Sequence, residues 1–306
     1  MNKKEYDKLY KLIFKEFNDE NQISSYEEFI AFIKEMKSIK PEVNKEMKAE
    51  KRTTELYALS SGLLALALES SKENIKEQLK NYSTVYETLF TNISNDCLAI
   101  IKLLESGFEF QARILTRNLF ELVYTLLVVI VNKEKCKAYF DSARLENSYD
   151  VWNKYIRMSK LNEELYNFEK KTDSEYAEMM KEARKRIYSQ YSSYAHNDFM
   201  YCFIGCHSTD QTNEMVNYNL WGNYNYNAKY ILSSVNDLLW MMFLYFKSFM
   251  SQDNIFDKED FITKDYYKYW NDALFISVIL DEQKRKETDK NNDEQGEWFY
   301  AKYWNK

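Results

Sequence analysis

One proline and five glycines in 306 residues leave little material for tight turns and bulges, which β-rich folds need in number. The same two residue types interrupt helices. Their scarcity therefore predicts long helices joined by polar loops, an all-α multi-helix bundle. Cysteine is sparse too. Cys97, Cys136, Cys202 and Cys206 are irregularly spaced, imply no disulfide framework, and fit a reducing cytoplasm. Histidine is scarcer still, with only His196 and His207. No glycine-rich phosphate loop, no paired zinc motif on a helix and no nucleophile elbow occurs, so ordinary NTPase and hydrolase readings drop out. The net charge of −6 excludes a surface that is basic throughout. It is compatible with a locally basic cleft, because fields are local over a Debye length of ~8 Å.

Aromatic residues are abundant, with 26 Tyr and 19 Phe. The longest apolar run, "LFELVYTLLVVIV" from Leu119 to Val131, falls short of the ~20 residues of a membrane span and is interrupted by Glu121. It reads as a buried central helix, as does "LLWMMFLYF", Leu238 to Phe246, and no membrane partner is expected. The N-terminus, "MNKKEYDKLYKLIFKEF", is charged throughout and lacks the apolar core of a signal peptide.

Three segments follow from the pattern. Residues 1–40 form a helical hairpin closed by Pro41, residues 43–250 a helical bundle core, and residues 251–306 a C-terminal helix with a charged tail and an aromatic end, "WFYAKYW". Inside the core, a long helix runs from Val43 to Lys80 and breaks near Asn81–Ser83. Another follows to Gly107, and the central helix covers Phe108–Asn132. A single helix spans 133–160, with Tyr139, Phe140, Leu145, Tyr149 and Trp152 as its apolar positions. The next begins at Asp173 or Ser174 as N-cap and runs through "YSSYAHND". Residues 205–225 are polar and aperiodic, a long loop of the kind that is more often functional than idle. Packed helices cover Tyr226–Met250 and Phe261–Glu282.

Two constellations could carry chemistry. Glu109, Arg113, Arg117 and Glu121 lie four residues apart, on successive turns of one helix face. Arg117 and Glu121 stand where the sequence turns apolar, and buried charge is costly unless paired. An internal salt bridge is the better reading for the glutamates. For Arg117 a structural pair and a phosphate clamp weigh equally. The second constellation is His196 with Ser192, Ser193 and Asn197. Imidazole has the pKa best suited to proton transfer near neutrality, although a lone histidine on a helix is more often a hydrogen-bonded packing residue. Cys202, Cys206 and His207 make one loose pair and one histidine, short of the four ligands of structural zinc, so no metal is expected.

"ILTRNLFELVYTLLVV", followed some 70 residues later by "YSQYSSYAHND", resembles a group of bacterial helical proteins that looks related to the HEPN superfamily. The resemblance covers about Ser83 to Tyr201. It implies a helical bundle that dimerises and a metal-independent RNase without cofactor. Such proteins act as toxins or in abortive infection and antiviral defence, with an antitoxin or defence-system partner. His196 matches the histidine of the family motif. The motif arginine has no match: Arg186, the nearest upstream, has nine residues between it and His196, and Tyr191 or Ser192 stands where the arginine belongs. Arg117 would supply the charge from across the bundle, making His196 and Arg117 the catalytic pair with Arg113, Glu121, Ser192, Ser193 and Asn197 in support. The alternative is a non-enzymatic helical module that binds a nucleotide or a protein in the Arg117/His196 cleft.

Overall fold

A computed structural model describes residues 4, 7–8, 10–12, 25–38, 45–142, 148–196, 202–203, 206–210, 215–218, 222, 227–251 and 255–295. They form an all-α multi-helix bundle with one small hairpin. In chain order the helices are α1 (Tyr26–Ser38), α2 (Lys45–Ser71), α3 (Glu77–Glu105), α4 (Glu109–Val131), α5 (Lys133–Ser142), α6 (Ser148–Val151), α7 (Met158–Glu169) and α8 (Ser174–Ala195). Strands β1 (His207–Asp210) and β2 (Met215–Tyr218) precede α9 (Ala228–Ser251), α10 (Lys258–Phe261) and α11 (Tyr267–Gln295).

The centre is α4. From Val123 to Ile130 every residue is buried, as expected of a helix that is apolar all round. By length and composition α4 could cross a membrane. In this fold it is the core helix, packed by α3, α5, α7, α8 and α9. A second layer forms where α2 packs on α3, α9 and α11. Phe90, Phe246, Phe256 and Trp270 join α3, α9 and the C-terminal segment in one aromatic cluster, with ring centres 5.3–5.6 Å apart.

Several boundaries differ from the sequence expectation. The break expected at Asn81–Ser83 lies at Ile75 and Lys76, which are extended (ψ 165° and 135°). Asn81–Ser83 are helical, because Ser83 is buried and the Thr84 hydroxyl donates to Lys80 O at 2.9 Å within the helix. The segment 133–160 is not one helix. It is helical over Lys133–Ser142 and Ser148–Val151, then widens into a π turn at Trp152–Ile156, after which Arg157 is extended (ψ 144°). Tyr139 and Phe140 pack on the core, but Tyr149 and Trp152 are exposed and stack on each other. Leu145 lies outside the described residues. Within the expected loop 205–225, His207–Asp210 pairs antiparallel with Met215–Tyr218. The last helix starts later than Phe261 and continues to Gln295, taking in most of the expected charged tail. At the N-terminus, Tyr10 packs on Tyr26 and Phe29 of α1, with ring centres 5.2 and 5.3 Å away. The aromatic C-terminal end lies outside the described residues.

Candidate functional site

The site is built on α4 and α8. Asp173 starts α8 as a side-chain cap: Oδ1 accepts from the N–H groups of Glu175 (2.9 Å) and Tyr176 (3.0 Å). From there Ala177, Met180, Arg184, Tyr191 and Tyr194 turn inward. The two helices run antiparallel, since Tyr188 meets Arg117 and Glu121 while Tyr194 meets Phe110 and Arg113.

Arg117, Glu121 and Tyr188 form a closed triangle. Arg117 Nη2 donates to Glu121 Oε1 and to the Tyr188 hydroxyl, both at 2.9 Å, and that hydroxyl donates to Glu121 Oε1 at 2.6 Å. Burial acts to lower the Arg117 pKa, but Tyr188 and the Glu121 charge outweigh it and hold the guanidinium above its ordinary value. Burial and the bond to Glu121 raise the Tyr188 phenol. The Arg117 Nε is buried without a hydrogen-bond partner.

One turn earlier, the Arg113 guanidinium lies 4.9 Å above the ring of Tyr194. A further turn back, the Glu109 carboxylate is buried and caps α9, accepting from Asn227 N (2.7 Å) and Asn227 Nδ2 (3.1 Å). Burial raises its pKa against the pull of these bonds and of Arg113. Tyr191 is buried against Phe120, and burial raises its phenol while Ser234 on α9 and Arg113 draw it down. The starts of α4 and α9 and the end of α8 therefore lie at one end of the bundle.

His196 ends α8 there. Its N–H donates to Ser192 O at 3.1 Å, and its side chain is exposed. It stands eight residues beyond Tyr188, which at helical rise is about 12 Å along the axis. The structure thus separates His196 from the Arg117 triangle and sets it two residues beyond the inward-facing Tyr194, on the exposed side of the helix end. Ser192 is half-buried, and the Ser193 hydroxyl donates to Ser189 O at 3.2 Å, within its own helix. Asn197 lies outside the described residues. Among the described residues no group of three or more His, Cys, Asp and Glu is arranged to hold a metal.

One polar cluster escaped the sequence reading. Arg184, 1% exposed, donates Nη1 and Nη2 to the two oxygens of Glu169 at 2.5 and 2.8 Å, and Nε to Asn162 Oδ1 at 2.6 Å. The Tyr245 hydroxyl also donates to Glu169. Burial would lower the Arg184 pKa, but Glu169 more than compensates and holds it well above the ordinary range. The signal lay in the stripe Ala177, Met180, Arg184, Ile187, Tyr191, Tyr194, in which a charged residue occupies an inward position.

Two comparisons with known proteins return nothing: no curated protein and no solved structure matches the chain. The model of a family of unknown function (DUF5677) matches residues 84–228, a stretch that begins within α3, ends on the first residue of α9 and contains α4, α8 and both histidines.

Proposed function

We propose that the chain is a metal-independent, HEPN-like endoribonuclease, a bacterial toxin or defence effector, with its reaction centre at the α8 end of the bundle. The observation that carries this reading is the exposed imidazole of His196 two residues beyond Tyr194, whose ring lies against Arg113. His196 takes the proton of a ribose 2'-hydroxyl. The 2'-oxygen attacks the adjacent phosphorus, the bond to the 5'-oxygen breaks, and that oxygen leaves with a proton from solvent. Arg113 supplies the cation for the charge that develops on phosphorus. Arg117, expected from the sequence to do this, has its Nη2 engaged by Glu121 and Tyr188 in a bridge between the two helices. It is a positioning residue that holds α8 against α4.

Three variants test the assignment. His196→Ala should lower cleavage by about 10²–10⁴-fold without lowering the melting temperature, because the side chain is exposed. Arg113→Ala should lower cleavage by about 10²-fold. Arg117→Ala should mainly lower the melting temperature. A His196→Ala protein that cuts RNA at the wild-type rate would overturn the reading. A second reading, a non-enzymatic module binding a nucleotide or a protein partner, draws on the unpaired Arg117 Nε. It requires a ligand bound through Arg117 and left unchanged.

A further inference from the structure

We propose that the hairpin that follows α8 in the chain is a stacking platform for the bases of single-stranded RNA, with Tyr218, His207 and Phe203 as its rungs. The proposal rests on the RNA reading above and names how that substrate is held.

His207 and Tyr218 are directly opposed across the two strands, so their side chains stand on one face of the hairpin. Their ring centres are 5.5 Å apart, and the Phe203 ring lies 4.3 Å from His207 at 25°, nearly parallel. The Phe203 carbonyl oxygen, which can only accept, is 2.9 Å from His207 Nδ1. That nitrogen therefore carries the proton, and the ring is fixed in orientation. Phe203 is 48% exposed and Tyr218 60% exposed. The three rings thus form one short column with His207 in the middle and the exposed Tyr218 and Phe203 at its ends. Bases of an unpaired strand stack on aromatic rings of this kind irrespective of sequence.

The location fits. Tyr218 is four residues from Gly222, at most about 14 Å of chain. Gly222 (φ +76°) packs against the α3–α4 corner so closely that a Cβ would fall 2.1 Å from Ser106 O. The platform is thereby tethered to the end of the bundle that carries His196. The charge there also fits. Arg113 contributes a cation, and the Lys229 ammonium lies 5.9 Å above the ring of Tyr230, itself 57% exposed. At the α3–α4 corner, Glu105 is paired with Lys51 and Lys102, and Glu109 accepts from Asn227. Aromatic rings beside cations are the chemistry of single-strand binding.

The test is fluorescence anisotropy with a labelled single strand of about twelve nucleotides, 2'-O-methylated at every sugar so that it cannot be cut. Tyr218→Ala should weaken binding roughly tenfold, since stacking on one aromatic ring contributes on that scale. Tyr218→Phe should bind as the wild type does. Phe203→Leu, which keeps apolar bulk and loses the π face, should weaken binding as well. A duplex of the same sequence should bind less tightly than the single strand. Equal affinity of Tyr218→Ala and wild type would overturn the platform, and if unmodified RNA is still cut it would leave the nuclease reading intact. Tyr218-dependent binding of the blocked strand with no cleavage of unmodified RNA would uphold the platform and overturn the nuclease. No binding and no cleavage by the wild-type protein would remove both.

Discussion

Replacing Arg184 by Met should cost about 3–5 kcal/mol of stability, the penalty for breaking a buried ion pair from one side. The structure sets the terms. Methionine keeps the aliphatic volume of the stem. What disappears is a two-pronged bond to Glu169 and the Nε bond to Asn162, all in a site where Arg184 is 1% and Glu169 4% exposed. Among the described residues, Glu169 would keep the Tyr245 hydroxyl as its one side-chain donor. In a chain of this size about 1 kcal/mol moves the melting temperature by roughly 2 °C, so thermal unfolding followed by circular dichroism should shift down by about 6–10 °C. Arg184→Lys should recover little, because a point charge cannot fill the fork between two carboxylate oxygens and an amide. Arg184→Met combined with Glu169→Leu should lose less than the sum of the single changes, since the double variant buries no lone charge. Leaving Asn162 and Tyr245 short of partners keeps it below the wild type. A loss under 1 kcal/mol in Arg184→Met, or strict additivity in the double variant, would refute this account of the pair.

Glu109 titrates above the ordinary carboxylate range in the folded chain because it is buried. The native state then holds its proton more tightly than the unfolded state does, so this group's contribution to stability falls as pH rises through the window between the two values. Glu109→Gln should flatten that part of a stability–pH curve measured by urea unfolding, and an unchanged slope would count against it. Gly222→Ala should be destabilising for two reasons, a positive φ and a Cβ driven into the Ser106 carbonyl. Amides of the hairpin and of the start of α9 should then exchange with deuterium sooner than in the wild type, and an unaltered exchange pattern would show that the corner is not closed as described.

The central helix was legible in the sequence because thirteen nearly uninterrupted apolar residues have one stable placement, inside. The Asp173 cap was legible because a short acceptor before an acidic first turn has a local cause. The break at Ile75–Lys76 was not, since neither residue disfavours a helix by itself. Tertiary contacts fix it, among them the Thr263 N–H donating to the Ser71 hydroxyl across 192 residues of sequence. The i, i+4 spacing of Arg117 and Glu121 gave their ion pair directly. Tyr188, the third member, came from a helix 71 residues away and carried no local mark. The separation of His196 from that triangle depends on the register between α4 and α8, which spacing along one helix does not contain. The β-hairpin was hidden for a simpler reason: strands of four residues are too short to display a period.

The most direct test of the whole account is the chemistry of the cut ends. Purified protein incubated with single-stranded RNA in excess chelator should yield fragments carrying 2',3'-cyclic phosphates and 5'-hydroxyls, read by mass spectrometry, with the His196→Ala protein yielding none. Uncut RNA, or fragments bearing 5'-phosphates and 3'-hydroxyls, would contradict attack by the 2'-hydroxyl and with it the role given to His196.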